Sequence, residues 1–355
     1  MQDNPGVMKS AIKYILPLLS IGFLFISTGC NKDEVIEIEP PENPENPNNP
    51  GTPENPDNPD NPHGPDQPSQ RPVTPESGNF IDAVFEWTPA PGQFINDFGT
   101  DFADASAITK EEAAKWAYQR LLKRNFVSLG AFGGYLVAGF DHSISNTGEF
   151  EIGIFGNAFL SANGSSDEPG IVYVMKDENG NGLPDDTWYE LKGSDTFAPG
   201  TIRNYQITYF RPSGDGKPIA WKDNLGNSGE IPYLGAFHKQ PTYYPYWVAS
   251  YSYTLSGTLL EAKTNKNPET GFWENPPFEW GYADNIGEDN IELDGFPNCN
   301  RFRISDAIDE KGNSVDLDYI DFVKVQTGVS AVAGWLGEVS TEVLGIIDLT
   351  LSQKR

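Results

Sequence analysis

Residues 135–155 read YLVAGFDHSISNTGEFEIGIF. Two short runs rich in Val, Ile, Tyr and Phe, at 135–140 and 150–155, flank a polar stretch that contains Asn146 and Gly148. Runs of this length and composition between turn residues are typical of β-strands. Similar runs lie at 81–87, 126–129, 171–175, 187–191, 204–210, 247–255, 259–262, 301–304, 320–325 and 345–351. Many short strands separated by turn signals predict an all-β domain built as a β-sandwich or jelly roll.

One short helix interrupts the predicted strands. Thr109 and Glu112 have the spacing of a capping box, in which each side chain bonds to the backbone of the other residue. Apolar residues follow at helical spacing, and they are Ala113, Trp116, Ala117 and Leu121. We expect this helix to pack its apolar side over one end of the sheets.

The first residues have the pattern of a lipoprotein signal peptide. Lys9 and Lys13 precede an apolar run at 14–26, and small residues lead from there to Cys30. The run is too short to span a bilayer as a helix, and a Cys directly after Gly29 resembles a bacterial lipobox. We therefore predict a signal peptide over 1–29 and a lipid on Cys30. The alternative is an ordinary secretory leader followed by an incidental Cys.

A proline falls at every third position from Pro41 to Pro68. A polyproline II helix has three residues per turn, so these prolines would line one edge of an extended chain. The segment lacks the apolar residues that a folded core needs. We predict a Pro-rich disordered tether over 30–78, followed by one β-sandwich ligand-binding domain over 79–355.

The chain carries a formal net charge of −27 at pH 7. Affinity for phosphate backbones comes from Lys and Arg, so we expect no nucleic-acid partner. The residues directly after Cys30, from Asn31 to Glu34, resemble the short signal that sends lipoproteins of Bacteroidota to the outer face of the outer membrane. We expect a lipid-anchored, surface-exposed protein, with an ordinary polar linker as the alternative interpretation of these residues.

The segment 177–186 reads DENGNGLPDD. Its oxygen-bearing side chains, a glycine at the sixth position and a backbone carbonyl at the seventh match loops that wrap Ca²⁺. The predicted ligands of a structural Ca²⁺ are Asp177, Asn179, Asn181, Leu183, Asp185 and Asp186. An EF-hand would have Glu at the twelfth position, where this chain has Trp188. The alternative is a hairpin turn in which Asn and Gly supply positive φ angles.

A second acidic stretch has no recognised ligand spacing. It contains Asp284, Glu288, Asp289, Glu292 and Asp294. A solvated acidic loop is the favoured interpretation. The alternative is that it donates one ligand to the ion of the first loop.

Aromatic residues concentrate in two Pro-containing segments. Exposed aromatic side chains at the edge of a sandwich can stack on a sugar or on a flat macrocycle, and tyrosine hydroxyls add hydrogen bonds. The predicted ligand-binding residues are Tyr243, Tyr244, Tyr246, Trp247, Trp273 and Trp280. The alternative is that these side chains cover the hydrophobic core.

The sequence contains no familiar catalytic signature. Neither the H-E-x-x-H pair of zinc proteases nor the G-x-S-x-G turn of serine hydrolases is present. His142 and His238 fit ordinary hydrogen-bonded or surface side chains, and with Cys30 lipidated, Cys299 has no disulfide partner. We expect a binding protein and not an enzyme, with a carboxylate-based glycoside hydrolase left open because acidic residues are abundant.

Several segments together resemble a family of surface lipoproteins of gut Bacteroidota. The resemblance covers roughly residues 80–345 and is carried by 127–141 (VSLGAFGGYLVAGFD), 156–159 (GNAF), 168–170 (EPG), 177–190, 281–285 (GYADN) and 320–328 (IDFVKVQTG). Some members of that family resemble partners encoded beside outer-membrane cobalamin transporters. The resemblance implies capture of a cobamide (vitamin B12) for uptake through a TonB-dependent transporter. A glycan is the alternative ligand.

Overall fold

A computed structural model describes residues 70–96, 108–161 and 164–352 of the 355-residue chain. The predicted signal peptide, the lipid-bearing Cys30 and most of the predicted tether lie outside these residues. Residues 70–78, which we assigned to the end of the tether, pack on the domain. Arg71 forms a salt bridge of 3.0 Å with Asp321, a residue that is 1% exposed, and it also donates to the carbonyl of Phe140 at 2.8 Å. Pairing with a buried carboxylate ties this segment to the domain.

Strands dominate the described chain, as the sequence predicts. They are β1 (Ala83–Thr88), β2 (Val127–Ser128), β3 (Tyr135–Ser145), β4 (Ile152–Phe155), β5 (Phe159–Ser161), β6 (Gly164–Ser166), β7 (Gly170–Met175), β8 (Trp188–Leu191), β9 (Ile202–Phe210), β10 (Ile219–Asp223), β11 (Ser228–Ile231), β12 (Ser252–Leu259), β13 (Asn265–Lys266), β14 (Trp273–Glu274), β15 (Asn290–Leu293), β16 (Phe296–Phe302), β17 (Ala307–Ile308), β18 (Tyr319–Thr327), β19 (Glu342–Val343) and β20 (Gly345–Asp348). The helices are α1 (Lys110–Leu122) and the single turn α2 (Leu349–Ser352).

Three sheets form the body of the domain. A six-stranded sheet has the order β1-β3-β18-β7-β8-β17, and two four-stranded sheets have the orders β11-β10-β9-β12 and β15-β16-β4-β20. Neighbouring strands within them run antiparallel. Buried residues from all three sheets join one hydrophobic cluster. The predicted all-β sandwich-like architecture is confirmed.

Strand β9 shows why these segments fold as strands. Tyr205, Ile207 and Tyr209 are 1–3% exposed and belong to the core cluster, whereas the side chains between them are polar. Successive side chains of a strand point to opposite faces, so this alternation buries one face and leaves the other to water. Each fully buried side chain of this size stabilises the fold by about 1.5–3 kcal/mol.

Helix α1 begins at the predicted capping box. The backbone N–H of Glu112 donates to the Thr109 hydroxyl at 3.2 Å, and the Thr109 N–H donates to the Glu112 carboxylate at 2.8 Å. The indole of Trp116 stacks on Trp87 of β1 with ring centroids 5.1 Å apart. The helix therefore covers the β1 edge of the six-stranded sheet.

Some predicted strand ends differ from the structure. Trp247 precedes β12 in a turn, residues 260–262 lie beyond the end of that strand, and residues 349–351 form α2. Trp247, Leu260 and Leu349 are apolar because they pack into the interior, and burial alone does not require a strand. Cys299 is a buried free cysteine.

Candidate functional site

A cavity of about 510 Å³ opens beside the β5–β6 hairpin. We call it the carboxylate cavity. Its rim is lined by Phe159, Phe237, Phe272, Trp273, Trp335 and Leu336, and its floor by Gln93, Glu168, Glu338, Ser340 and Glu342. Its volume lies within the range of small-molecule sites, which are typically about 300–1,000 Å³.

The rim presents aromatic faces to solvent. Phe237 is 62% exposed and Trp335 is 50% exposed, and their ring centroids are 6.2 Å apart. Gly334 has φ +57°, and a Cβ at this position would lie 2.1 Å from Nε1 of Trp273. Only glycine therefore permits this turn and the close packing of Trp273 beside it.

Two buried oxygen atoms on the floor have no hydrogen-bond partner within the described residues. Glu338 is 3% exposed, and its Oε1 accepts from the backbone N–H of Gln93 at 2.7 Å, while its Oε2 has no partner. The side-chain Oε1 of Gln93 also lacks a partner, and this residue is 4% exposed. A buried acceptor without a donor costs about 1–3 kcal/mol. Such acceptors suit a ligand that brings donors or positive charge.

Two carboxylates of the floor, those of Glu168 and Glu342, lie close to a third carboxylate, that of Asp284. Glu168, Asp284 and Glu342 each offer one oxygen, and these oxygens all lie within 4.8 Å of one another. Asp284 is fully buried and has φ +55°, a left-handed conformation that is uncommon outside glycine. The fold places this carboxylate at the cost of local backbone strain.

Backbone N–H groups hold Asp284 in place. Its Oδ1 accepts from Asn157 and Ala158 at 2.7 Å each, and its Oδ2 accepts from Glu342 at 2.9 Å. A Cβ on Gly156 would lie 2.5 Å from Oδ1. Glycine at 156 therefore lets the Asp284 carboxylate approach the backbone directly after β4.

The electrostatics of the floor follow from burial. Burial raises the pKa of Glu338 to about 8. Burial, followed by the charge of Glu342, raises the pKa values of Glu168 and Asp284 well above their ordinary range, although three N–H donors oppose the shift at Asp284. Burial also raises the pKa of Glu342. Burial therefore favours the protonated forms of these acids, whereas a cation beside them would favour their charged forms.

No Lys or Arg is among the described residues that line the carboxylate cavity. An anionic ligand would meet carboxylates without a compensating cation. The charge of the cavity lining therefore disfavours anionic ligands.

The six aromatic residues predicted to bind ligand do not form one surface. Tyr243 and Tyr244 are 1% and 0% exposed, and Trp247 is 7% exposed and packs on Trp87 with centroids 4.8 Å apart. Tyr246 is half-buried against the same core cluster. Tyr243, Tyr244 and Trp247 are thus core residues and not part of an exposed platform, because their large apolar surfaces complete the sandwich interior.

The two remaining predicted tryptophans lie in separate pockets. Trp273 belongs to the rim of the carboxylate cavity. Trp280 lines a pocket of about 380 Å³ together with Phe150, Arg301 and Arg303. Only Trp273 therefore joins the site described above.

The 177–186 loop is closed by its own hydrogen bonds. The carboxylate of Asp177 accepts from the backbone N–H groups of Gly180, Asn181 and Gly182 at 2.8–3.2 Å. Asp185 lies on the outside and accepts from side-chain amides of the loop. This arrangement forms a tight Asx-rich turn, and Ca²⁺ at this loop stays a prediction.

The 284–294 stretch is not a solvated acidic loop throughout. Asp284 and Asp289 are 0% and 5% exposed. Asp289 accepts from the backbone N–H of Gly281 at 2.9 Å, and Asp284 belongs to the carboxylate group above. Backbone N–H donors satisfy these buried carboxylates. The spacing of acidic residues along the sequence does not reveal such donors.

The two histidines differ in setting. His142 is fully buried between Asp141 and Asp348, with ring nitrogens 2.6 and 3.1 Å from their carboxylate oxygens. His238 lines the carboxylate cavity, and its ring lies edge-on to Phe94 at 4.7 Å. His142 is therefore a structural, hydrogen-bonded histidine.

The sequence analysis does not single out Glu338 and Glu342, although their sequence context could have identified them. These are the only charged residues between Lys324 and Asp348, in a stretch that is otherwise apolar or small. A carboxylate in such a stretch is forced toward the interior, where it needs a partner.

Comparisons with known proteins do not assign this chain to a family. A scan against protein-family models finds no match to this chain, and a search of curated proteins also finds none. Among the described residues, no helix combines the length and hydrophobicity needed to cross a membrane.

Proposed function

We propose that this chain is a surface lipoprotein whose domain binds a glycan in the carboxylate cavity. The supporting observation is the pair of unpartnered acceptors, Glu338 Oε2 and Gln93 Oε1, beneath an exposed aromatic rim. Sugar hydroxyls donate hydrogen bonds to such acceptors, and the apolar faces of sugar rings stack on aromatic side chains.

In this proposal the lipid on Cys30 holds the protein at the outer membrane. The Pro-rich tether carries the domain away from the membrane surface. The bound ligand then passes to a TonB-dependent transporter. Replacement of Cys30 by Ser should release the mature chain from the membrane fraction, and retention there would contradict the anchor.

A cobamide is the competing ligand, because the family resemblance implies it. Its flat macrocycle can contact the same rim, but it meets the two unpartnered acceptors only where an amide or hydroxyl group reaches the floor. Titration of the full chain with cyanocobalamin and with a panel of neutral polysaccharides, followed by tryptophan fluorescence, separates the two ligands. Saturable binding of cyanocobalamin alone would replace the glycan proposal.

A carboxylate-based glycoside hydrolase is the second candidate function. The observation that favours it is Glu338, whose pKa burial raises to about 8, in a cavity that also contains Glu168 and Glu342. A carboxylic acid that keeps its proton at neutral pH can protonate a glycosidic oxygen while a second carboxylate activates water. New reducing ends released by the wild-type chain, but not by Glu338→Gln, would establish turnover. Binding without new reducing ends supports the binding protein.

A further inference from the structure

Three carboxylate oxygens at the edge of the cavity floor have the separation of ligands to one ion. Those of Glu168, Asp284 and Glu342 all lie within 4.8 Å of one another. Ca²⁺ binds oxygen at about 2.3–2.6 Å, so ligands on opposite sides of the ion are separated by up to about 5 Å. Mg²⁺ usually keeps several waters and is bound through one or two carboxylates, so a group of three carboxylates suits Ca²⁺ better.

These three carboxylates have no ion-pair partner among the described residues. No salt bridge within the described residues includes any of the three carboxylates. Carboxylates this close to one another repel strongly in a buried setting. A cation between them converts this repulsion into attraction.

The geometry keeps Asp284 ready to bind an ion. Donation from three backbone N–H groups fixes the position of its carboxylate. Oδ1 already accepts two hydrogen bonds, whereas Oδ2 accepts only the one from Glu342. Each carboxylate oxygen has two lone pairs, so Oδ2 retains one for a metal.

A fourth acid provides an independent indication that the cavity takes a positive or donating group. Glu338 lines the same cavity as Glu168 and Glu342 and is only 3% exposed. Its Oε2 has no hydrogen-bond partner within the described chain. The unpartnered Oε1 of Gln93 lies beside the same cavity. Among the described residues no donor reaches these two atoms, so a ligand or ion in the cavity can satisfy them.

We infer that Glu168, Asp284 and Glu342 form a Ca²⁺ site at the floor of the carboxylate cavity. Glu168 and Glu342 line the cavity, so the remaining coordination positions of the ion open toward it. This site is separate from the 177–186 loop. It stands whether or not the cavity binds a glycan.

The test is calcium titration of the full chain after removal of metal with a chelator. Isothermal titration calorimetry is carried out on the wild type, Glu168→Gln and Glu342→Gln, each also combined with Asp185→Asn to weaken the predicted loop site. Glu292→Gln is the matched control, because Glu292 is an exposed acid of the same region. We expect each Glu variant to weaken one Ca²⁺ site by at least roughly tenfold, because the ligand loses its charge.

Thermal melts guard against a folding artefact. In chelator, Glu168→Gln and Glu342→Gln should melt at or above the wild-type temperature, because each removes a repelling charge. With calcium added, the wild type and Glu292→Gln should gain stability while these two variants gain less. Unchanged calcium affinity and stoichiometry in both Glu variants would overturn the site, and binding of Mg²⁺ without Ca²⁺ would overturn the choice of ion.

Discussion

The backbone N–H of Glu342 donates to Oδ2 of Asp284 at 2.9 Å. This bond joins β19 to a loop that is far away in sequence, and it brings two acids to one point of the cavity floor. A buried carboxylate that accepts backbone N–H groups is fixed in position, because loss of those bonds would leave it unsatisfied. The floor is therefore a rigid element of the fold.

Gly156→Ala should disturb this floor. A Cβ there would lie 2.5 Å from Oδ1 of Asp284, closer than any normal contact. We expect the free energy of unfolding to fall by about 1–3 kcal/mol, as in overpacked cores. Denaturant unfolding measures it, with Gly214→Ala as the control, because a Cβ at 214 meets nothing within 4 Å. Equal stability of the two variants would show that Asp284 is not confined as described.

His142 should make stability depend on pH. Burial lowers its pKa, but hydrogen bonds to Asp348 and Asp141 outweigh burial and leave the pKa raised. A raised folded-state pKa gives stabilisation that is complete below the unfolded pKa of about 6.5 and is lost as pH rises through the folded pKa.

The variant His142→Gln isolates this effect. Its loss of melting temperature relative to wild type should be larger near about pH 6 than near about pH 9. The comparison of variant and wild type at each pH cancels the titration of other groups. The same loss at both pH values would mean that His142 is neutral throughout.

Asp185→Asn tests calcium in the 177–186 loop better than any change at Asp177. Asp177 accepts from three backbone N–H groups, so Asp177→Ala should destabilise the protein with or without the ion. Asp185 is exposed and bonds only to side-chain amides of Asn179 and Asn181. We expect Asp185→Asn to lower the melting temperature in calcium and to leave it nearly unchanged in chelator. Matching melts of variant and wild type in calcium would assign the loop as a turn only.

Tyr244→Ala should destabilise the protein, because Tyr244 is a core residue. Tyr244 is fully buried, and its hydroxyl donates to the carbonyl of Ser250 at 3.0 Å. Removal of a buried aromatic ring costs on the order of 3 kcal/mol or more. Chemical denaturation measures the loss in free energy of unfolding. A loss below about 1 kcal/mol would indicate that Tyr244 is a surface residue, because surface substitutions have little effect on stability.

Local sequence patterns predicted the fold well where they reflect burial of one face. The alternation in β9 and the capping box at Thr109 depend on neighbours in sequence, and both were found as expected. The sequence analysis does not predict β5, β6, β10, β11, β13, β14, β15, β17 and β19. These strands have two to five residues each, too few to show a clear alternation of buried and exposed side chains.

The candidate site was mostly hidden from sequence reasoning. Glu168, Asp284 and Glu342 come from three distant segments, and only the sheet topology brings them together. The aromatic cluster around Tyr244 was assigned to the surface because composition does not distinguish a lid over the core from an exposed platform. Trp273 was identified as a binding residue, whereas its neighbour Trp335 was not.

Glycan binding at the rim of the carboxylate cavity is tested most directly by a glycan microarray. The array is probed with the labelled full chain, with Trp335→Ala and with Tyr251→Ala. The second variant removes an aromatic residue outside the cavity that is more exposed than Trp335, 71% against 50%. We predict that the wild type and Tyr251→Ala bind a common set of glycans, and that Trp335→Ala binds them roughly tenfold more weakly, because it loses a stacked aromatic contact. Binding to no glycan, or equal binding by all three proteins, would contradict the account.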